Sequence, residues 1–177
     1  MERSYQILNS GRDDLSTILT LYDEATEYMR SKDQVAWPTF SEELISQEIQ
    51  ENKQWKLIID DKIACIWATT LHDELIWGKE HNDPAVYIHR IATHPDHRGN
   101  KLVRRIVEWA DDYCKTHQLK YVRMDTVGLN QGLIHHYTTH GFEFLGTRTL
   151  KNTSGLPAHY NLGPVCLFQR IPDIHNA

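Results

Sequence analysis

The residues that could do chemistry lie between Ala85 and Phe142. Near the middle, Arg98-Gly99-Asn100-Lys101 forms a basic, glycine-containing turn, and no acidic residue occurs from His97 to Arg105. It precedes a segment in which Leu102, Val103, Ile106, Val107, Trp109, Ala110, Tyr113 and Cys114 recur every three or four residues. That is the period of a helix with one buried face. A helix N-terminus presents unpaired N–H groups and a partial positive charge, so a basic turn at this point suits a phosphate. Upstream, His89 carries an imidazole whose ordinary pKa of about 6.5 suits proton transfer near neutrality. Downstream, Tyr137 carries a phenol that stays protonated at neutral pH and can donate.

These groups need a strand and two helices to hold them. Ala85–Thr93 is β-branched and aromatic and runs into His94-Pro95-Asp96, which reads as a strand entering a turn. Alternation then places Tyr87, His89, Ile91 and Thr93 on one face and Ile88, Arg90 and Ala92 on the other. Tyr121–Val127 is again strand-like, Asn130 can cap a following helix, and Gly141 can end it.

Before this core, Tyr5–Asn9 reads as an edge strand and Asp13 or Asp14 caps a first helix with a stripe from Leu15 to Met29. Thr39 and Glu42 form a capping box for a second helix to about Asn52. Trp55–Ile59 and Ile63–Thr70 are strands joined by a tight hairpin at Asp60-Asp61-Lys62, and Leu75–Trp77 belongs to the same meander or its loop. Phe142–Leu145 and Val165–Ile171 close the chain as strands around a long polar loop, Lys151–Gly163.

The stretch from Ala85 to Phe142 resembles the acetyl-CoA binding core of the GNAT N-acetyltransferase family. Arg98 and Gly99 fit the family's Arg/Gln-x-x-Gly-x-Gly/Ala loop, while Lys101 stands at a usual glycine and Val103 at a usual small residue. Asn130, Tyr137 and Gly141-Phe142 match its Asn...Tyr...Gly-Phe ending. The resemblance implies an α/β (α+β) fold: one domain over 1–177, its core at about 85–142, with a mixed sheet of about seven strands and about four helices. It also implies acetyl-CoA as cosubstrate. The pyrophosphate would lie on the turn of Arg98, Gly99, Asn100, Lys101, Leu102 and Val103, and the pantetheine arm along the backbone of Ile91 and Thr93, with Asn130 and Tyr137 also in contact.

In such enzymes an N–H near Ile91 polarises the thioester carbonyl, and losing one such donor typically costs about 3 to 4 kcal/mol. Tyr137 would protonate the departing thiolate; without the resemblance it reads as a core tyrosine. His89 is either the base that deprotonates the acceptor amine or a half-buried structural histidine. Tyr87 occupies the other position from which relatives take a base and is a candidate substrate contact. Trp37 either lines the acceptor pocket or acts as a hydrophobic staple.

Composition limits the partners. A net charge of −5 and a pI near 6.1 disfavour nucleic acid as the main partner, despite the basic HRGNKLVRR stretch. No apolar run approaches the ~20 residues that cross a bilayer, and the polar start is unlike a signal peptide, so a cytoplasmic protein is expected. Cys65, Cys114 and Cys166 read as reduced core thiols. His136 and His140 have i, i+4 spacing without an HExxH glutamate or a third ligand, so no metal site is expected. Asp73, Glu74, Glu80 and Asp83 face either solvent or a cationic acceptor.

The expected function is acetyl transfer within a ternary complex to a primary amine on a small molecule or peptide. The alternative is an acyl-CoA sensor without catalysis, which the Lys101 substitution in the loop suggests. Pairing of the last strands between subunits, common in the family, makes a homodimer possible.

Overall fold

The computed structural model describes residues 4–173. Strand β1 (Tyr5–Asn9) leads to helices α1 (Leu15–Ser31) and α2 (Glu42–Gln50), then to β2 (Gln54–Ile59) and β3 (Lys62–Thr70). One helical turn, α3 (Glu74–Trp77), precedes β4 (Ala85–Thr93), α4 (Leu102–His117), β5 (Tyr121–Val127) and α5 (Gln131–Thr138). The chain closes with β6 (Glu143–Arg148) and β7 (Val165–Arg170). All seven strands join one mixed sheet in the order β1-β2-β3-β4-β5-β7-β6. Only β4 and β5 pair in parallel, with α4 as the crossover between them.

Each sheet face carries its own helices. On the first, the apolar stripe of α4 (Leu102, Ile106, Val107, Ala110, Cys114) and Tyr137 of α5 bury against Val86, Ile88, Val122 and Met124. On the second, Ile18, Leu21, Tyr22 and Ala25 of α1 and Ile45 and Ile49 of α2 pack on Ile66 and Ala92. Beside them, Ile76 and Trp77 of α3 meet Tyr87, Tyr160 and Leu167. Fully burying one such Leu or Ile is worth about 1.5–3 kcal/mol, so each helix is held by its stripe more than by its propensity.

Several local expectations are corrected. The second helix is capped by Ser41, whose Oγ accepts from Leu44 N–H at 3.2 Å, rather than by Thr39. Phe40, just before that cap, buries with Ile45 and takes the staple role. Leu75–Trp77 is helical because Ile76 and Trp77 both need burial on the same side, which one turn provides and a strand does not. The loop after β6 contains a short 3-10 turn, Ala158–Asn161, that buries His159 and Tyr160.

Two features of β4 place the site. Its pairing with β5 ends at Ile88↔Met124, although both strands continue, so they part like the arms of a V. Its pairing with β3 is interrupted between Ile66 and Ala68, where Arg90 and Ile91 both lie opposite Trp67, and Arg90 has φ 54°. This β-bulge shifts the alternation by one residue. Tyr87 and His89 therefore stay on the second face, while Ile91 packs into the first-face core and Thr93 approaches Cys65 of that core. The expected common face of Tyr87, His89, Ile91 and Thr93 does not exist.

Candidate active site

A cavity of about 1490 Å³ runs from the turn before α4, past the β4/β5 fork, to the second face of the sheet. Its anion end is built by backbone. Gly99 (φ 81°) and Lys101 (φ 54°, ψ 36°) are both left-handed, and the first bond of α4 runs from Arg104 N–H to Lys101 C=O at 3.1 Å. The N–H groups of Lys101, Leu102 and Val103 precede that bond and carry the positive end of the helix dipole. Lys101 thus adopts the angles that a glycine would supply.

The basic side chains around this turn have different roles. Arg98 points to α1, its guanidinium 4.2 Å over the Tyr28 ring and Nη2 donating to Glu24 C=O at 3.4 Å. Arg104 and Arg105 are both held by Glu108. Lys101 has no ion-pair partner among the described residues and is the side chain left for an anion. Asn100, Leu102 and Val103 line the same end of the cavity.

The opposite wall is α5. Asn130 caps it, with Oδ1 accepting from Leu133 N–H at 3.1 Å. Gly141 at φ 83° ends it. Tyr137 lines the cavity between Phe142 and Phe168, and its hydroxyl has no hydrogen-bond partner among the described residues. Burial pushes that phenol up to about 12, so it remains protonated at neutral pH. Cys65, also buried, is pushed up to about 12 by burial, which leaves almost no thiolate to act as a nucleophile.

At the fork stands a charged cluster. His89 and Asp125 are the first residues beyond the last β4/β5 pair, and Asp73 reaches them from the start of α3. His89 Nε2 lies 3.3 Å from Asp73 Oδ2, and His89 Nδ1 lies 3.6 Å from Asp125 Oδ1. Tyr160 donates to the other oxygen of Asp125 at 2.7 Å.

Burial lowers the His89 pKa, but the carboxylates of Asp73 and Asp125 more than offset this, and the net shift is upward. Burial raises Asp125 to about 6 against the pull of His89. His159 beside them is lowered to about 4 by burial and by Arg90, and so is neutral. Arg90 Nη2 donates to both oxygens of Glu48, at 2.5 and 2.6 Å, and its guanidinium lies over Tyr22 and Phe40.

Of the residues singled out from sequence, Ile91, Thr93, His89, Asn130, Tyr137 and the 98–103 turn all border this cavity. Trp37 also lines it while packing on Tyr22 and Phe40, and the staple role expected of it belongs to Phe40. Tyr87 does not border it. It is fully buried against Trp77, and its hydroxyl accepts from Arg123, which places it behind the cavity wall.

Sequence reasoning did not identify Asp125, His159 or Tyr160, and placed Asp73 among four loop acids that face either solvent or a cationic acceptor; the side chain of Asp73 is 8% exposed and borders the cavity. Glu80 and Asp83 of that loop are taken by Arg148 and Arg123. The available signal was a carboxylate in a strand directly after the buried run Val122-Arg123-Met124.

Residues 18–142 match the acetyltransferase (GNAT) family. The chain belongs to this family. It is 22% identical over 142 residues to the uncharacterized N-acetyltransferase YesJ of Bacillus subtilis, covering 76% of this chain and 79% of that one. Its fold is that of a GNAT acetyltransferase from Listeria monocytogenes, with TM-score 0.77, 18% identity and 94% of each chain covered. It also resembles yncA, an acetyltransferase from Salmonella typhimurium solved with its cofactor acetyl-CoA, with TM-score 0.67, 13% identity and 98% and 96% covered. Acetyl-CoA is the acetyl donor of GNAT enzymes, and the left-handed turn ahead of α4 fits its pyrophosphate. No described helix of this GNAT chain is long and apolar enough to cross a membrane.

Proposed function

We propose that the protein transfers the acetyl group of acetyl-CoA directly to a primary amine held in the same cavity. The observation that carries this reading is the fork itself. The parted β4 and β5 open a passage through the sheet, with Tyr137 on the first face and His89, Asp73 and Asp125 on the second. A proton donor and a proton acceptor thus stand on opposite sides of one opening.

Acetyl-CoA supplies an acetyl group activated as a thioester. The N–H groups of Lys101, Leu102 and Val103, with the Lys101 ammonium, would hold its pyrophosphate, and the backbone of Ile91 and Thr93 its pantetheine arm. The bulge at Arg90 interrupts the β3/β4 pairing at Ile91, and an Ile91 N–H free of the ladder would be the fixed donor that stabilises developing negative charge. His89 takes the proton that an ammonium must lose before its nitrogen has a free pair, and the adjacent carboxylates stabilise the imidazolium. Tyr137 gives its proton to the leaving thiolate. The three buried thiols take no part. The altered glycine loop motivated the sensor reading; Lys101 keeps the angles of a glycine there, so the loop itself gives no ground for preferring a sensor to an enzyme.

The test is calorimetric titration with acetyl-CoA, followed by thiol release with a panel of amines, for the wild type and Tyr137→Phe. Wild-type binding is expected to be micromolar. The variant should bind within about twofold of that yet turn over about 100-fold more slowly, the usual contribution of a positioned acid. Equal turnover would remove Tyr137 from the reaction, and absence of acetyl-CoA binding would remove the transferase reading.

A further inference from the structure

The cluster at the fork has an imbalance that the transfer reaction alone does not explain. Asp73 and Asp125 present two carboxylates to a single imidazole, with side-chain exposures of 8% and 1%. One ligand atom from each of Asp73, His89 and Asp125 lies within 4.8 Å of the other two. Asp73 Oδ2 and Asp125 Oδ1, the oxygens nearest the ring, have no aligned hydrogen bond among the described residues. An independent group points the same way: His159 is 7% exposed, borders the same cavity, and its Nδ1 has no partner among the described residues. Among the described residues both carboxylate oxygens have only the His89 ring as an ion-pair partner, and two carboxylates against one imidazole leave a negative charge unbalanced beside the cavity, which calls for a cation.

We infer that Asp73, Asp125 and His159 form the docking site of the acceptor's ammonium group, and that the acceptor is an aliphatic amine with no carboxylate on the carbon bearing its nitrogen. The inference rests on the acetyl-transfer reading and narrows it. An α-amino acid would bring its own carboxylate within a few ångströms of Asp73 and Asp125. No cation in the cluster is free to meet it: His89 is already shared between Asp73 and Asp125, Arg90 is held by both oxygens of Glu48, and His159 is neutral. Tyr160 from the loop before β7 already donates to Asp125, which leaves the Asp125 oxygen nearer His89 for the ligand. A docking ammonium and a protonated His89 compete for the same two carboxylates. Arrival of the amine therefore expels a proton, and His89 is left neutral beside the nitrogen it must deprotonate.

The probes are n-pentylamine and norleucine, which differ only by the carboxylate. Each is titrated calorimetrically into metal-free protein saturated with CoA, in two buffers of different ionisation enthalpy, for the wild type, Asp73→Asn and Asp125→Asn. Pentylamine should bind the wild type at least tenfold more tightly than norleucine and release part of a proton at pH 7. Either variant should weaken pentylamine by about tenfold or more, the usual loss for a charged hydrogen bond, and abolish the proton release. Equal affinity for the two probes, unchanged binding by both variants, or no pentylamine binding would overturn the assignment. So would a Zn²⁺ or Mn²⁺ titration that fills the same cluster while pentylamine does not bind.

The transfer reading fails separately. If acetyl-CoA does not bind, that reading falls, whereas the pentylamine titration repeated without CoA still decides the ammonium site. If norleucine is acetylated as well as pentylamine, the transfer reading stands and this one falls.

Discussion

Arg90 is a non-glycine residue held at φ 54° inside a strand, and its replacement separates backbone strain from side-chain anchoring. Its guanidinium is 12% exposed and bonds a Glu48 side chain that is 16% exposed, so any truncation breaks a largely buried pair. Losing one partner of such a pair costs about 3–5 kcal/mol, and Gln54, which also donates to Glu48 at 2.7 Å, moderates that loss equally in every variant. Arg90→Ala and Arg90→Gly both lose the pair, so their difference isolates the backbone. Alanine keeps the left-handed strain of about 1–2 kcal/mol. Glycine is relieved of it but gives up about 0.4–1 kcal/mol through a freer unfolded chain.

Arg90→Gly should therefore be the more stable of the two by about 0.5–1 kcal/mol. For a domain of this length that is about 1–4 °C in Tm. Ala68→Gly, on the facing strand outside the positive-φ set, supplies the opposite sign and shows that glycine is not generally favoured in this sheet. The assay is urea unfolding together with thermal melts of all three variants. An Arg90→Ala protein as stable as Arg90→Gly would refute the claim that the bulge is a strained element pinned from α2.

Lys101→Gly, at φ 54°, should leave stability unchanged or raise it by up to about 1 kcal/mol, and acetyl-CoA affinity should hold within about threefold; a loss above tenfold would show that its ammonium is itself a ligand. The acid limb of kcat/KM for the amine, corrected for titration of the amine, should lie above the ordinary histidine value. The His89 pKa is raised and its proton must be off, so activity falls as pH drops through it. In Asp125→Asn that limb should move to lower pH, because one of the raising carboxylates is gone; an unmoved limb would exclude His89 as the titrating group. Asp125 itself is raised to about 6, so the folded state binds its proton more tightly than the unfolded state. The stability it contributes is greatest below the unfolded value and is lost as pH rises through about 6. Asp125→Asn should then be more stable than wild type by about 1–3 kcal/mol at pH 7, with the gain vanishing below about pH 4 in thermal melts.

Elements whose signal is local were legible from the sequence. The stripe on α4 spans consecutive turns of one helix, and the two-residue turn at Asp60 and Asp61 (φ 50° and 61°) is set by its own residues. The bulge was not legible, because Arg90 takes its angles where Glu48, 42 residues away in sequence, anchors its side chain. Without it, strict alternation misassigned Ile91 and Thr93. The charged cluster was legible in part, by a rule that counts buried charges instead of matching motifs. Strands β4 and β5 together carry His89, Arg90, Arg123 and Asp125, and a charge placed in a buried strand must find a partner. Arg123 is answered by Asp83, and Arg90 by Glu48. His89 and Asp125 are left to each other at the point where the strands part, and Asp73 then adds a second carboxylate to the same imidazole. One negative charge in that group is left unbalanced, and it borders the cavity in which the proposed amine acceptor would bind.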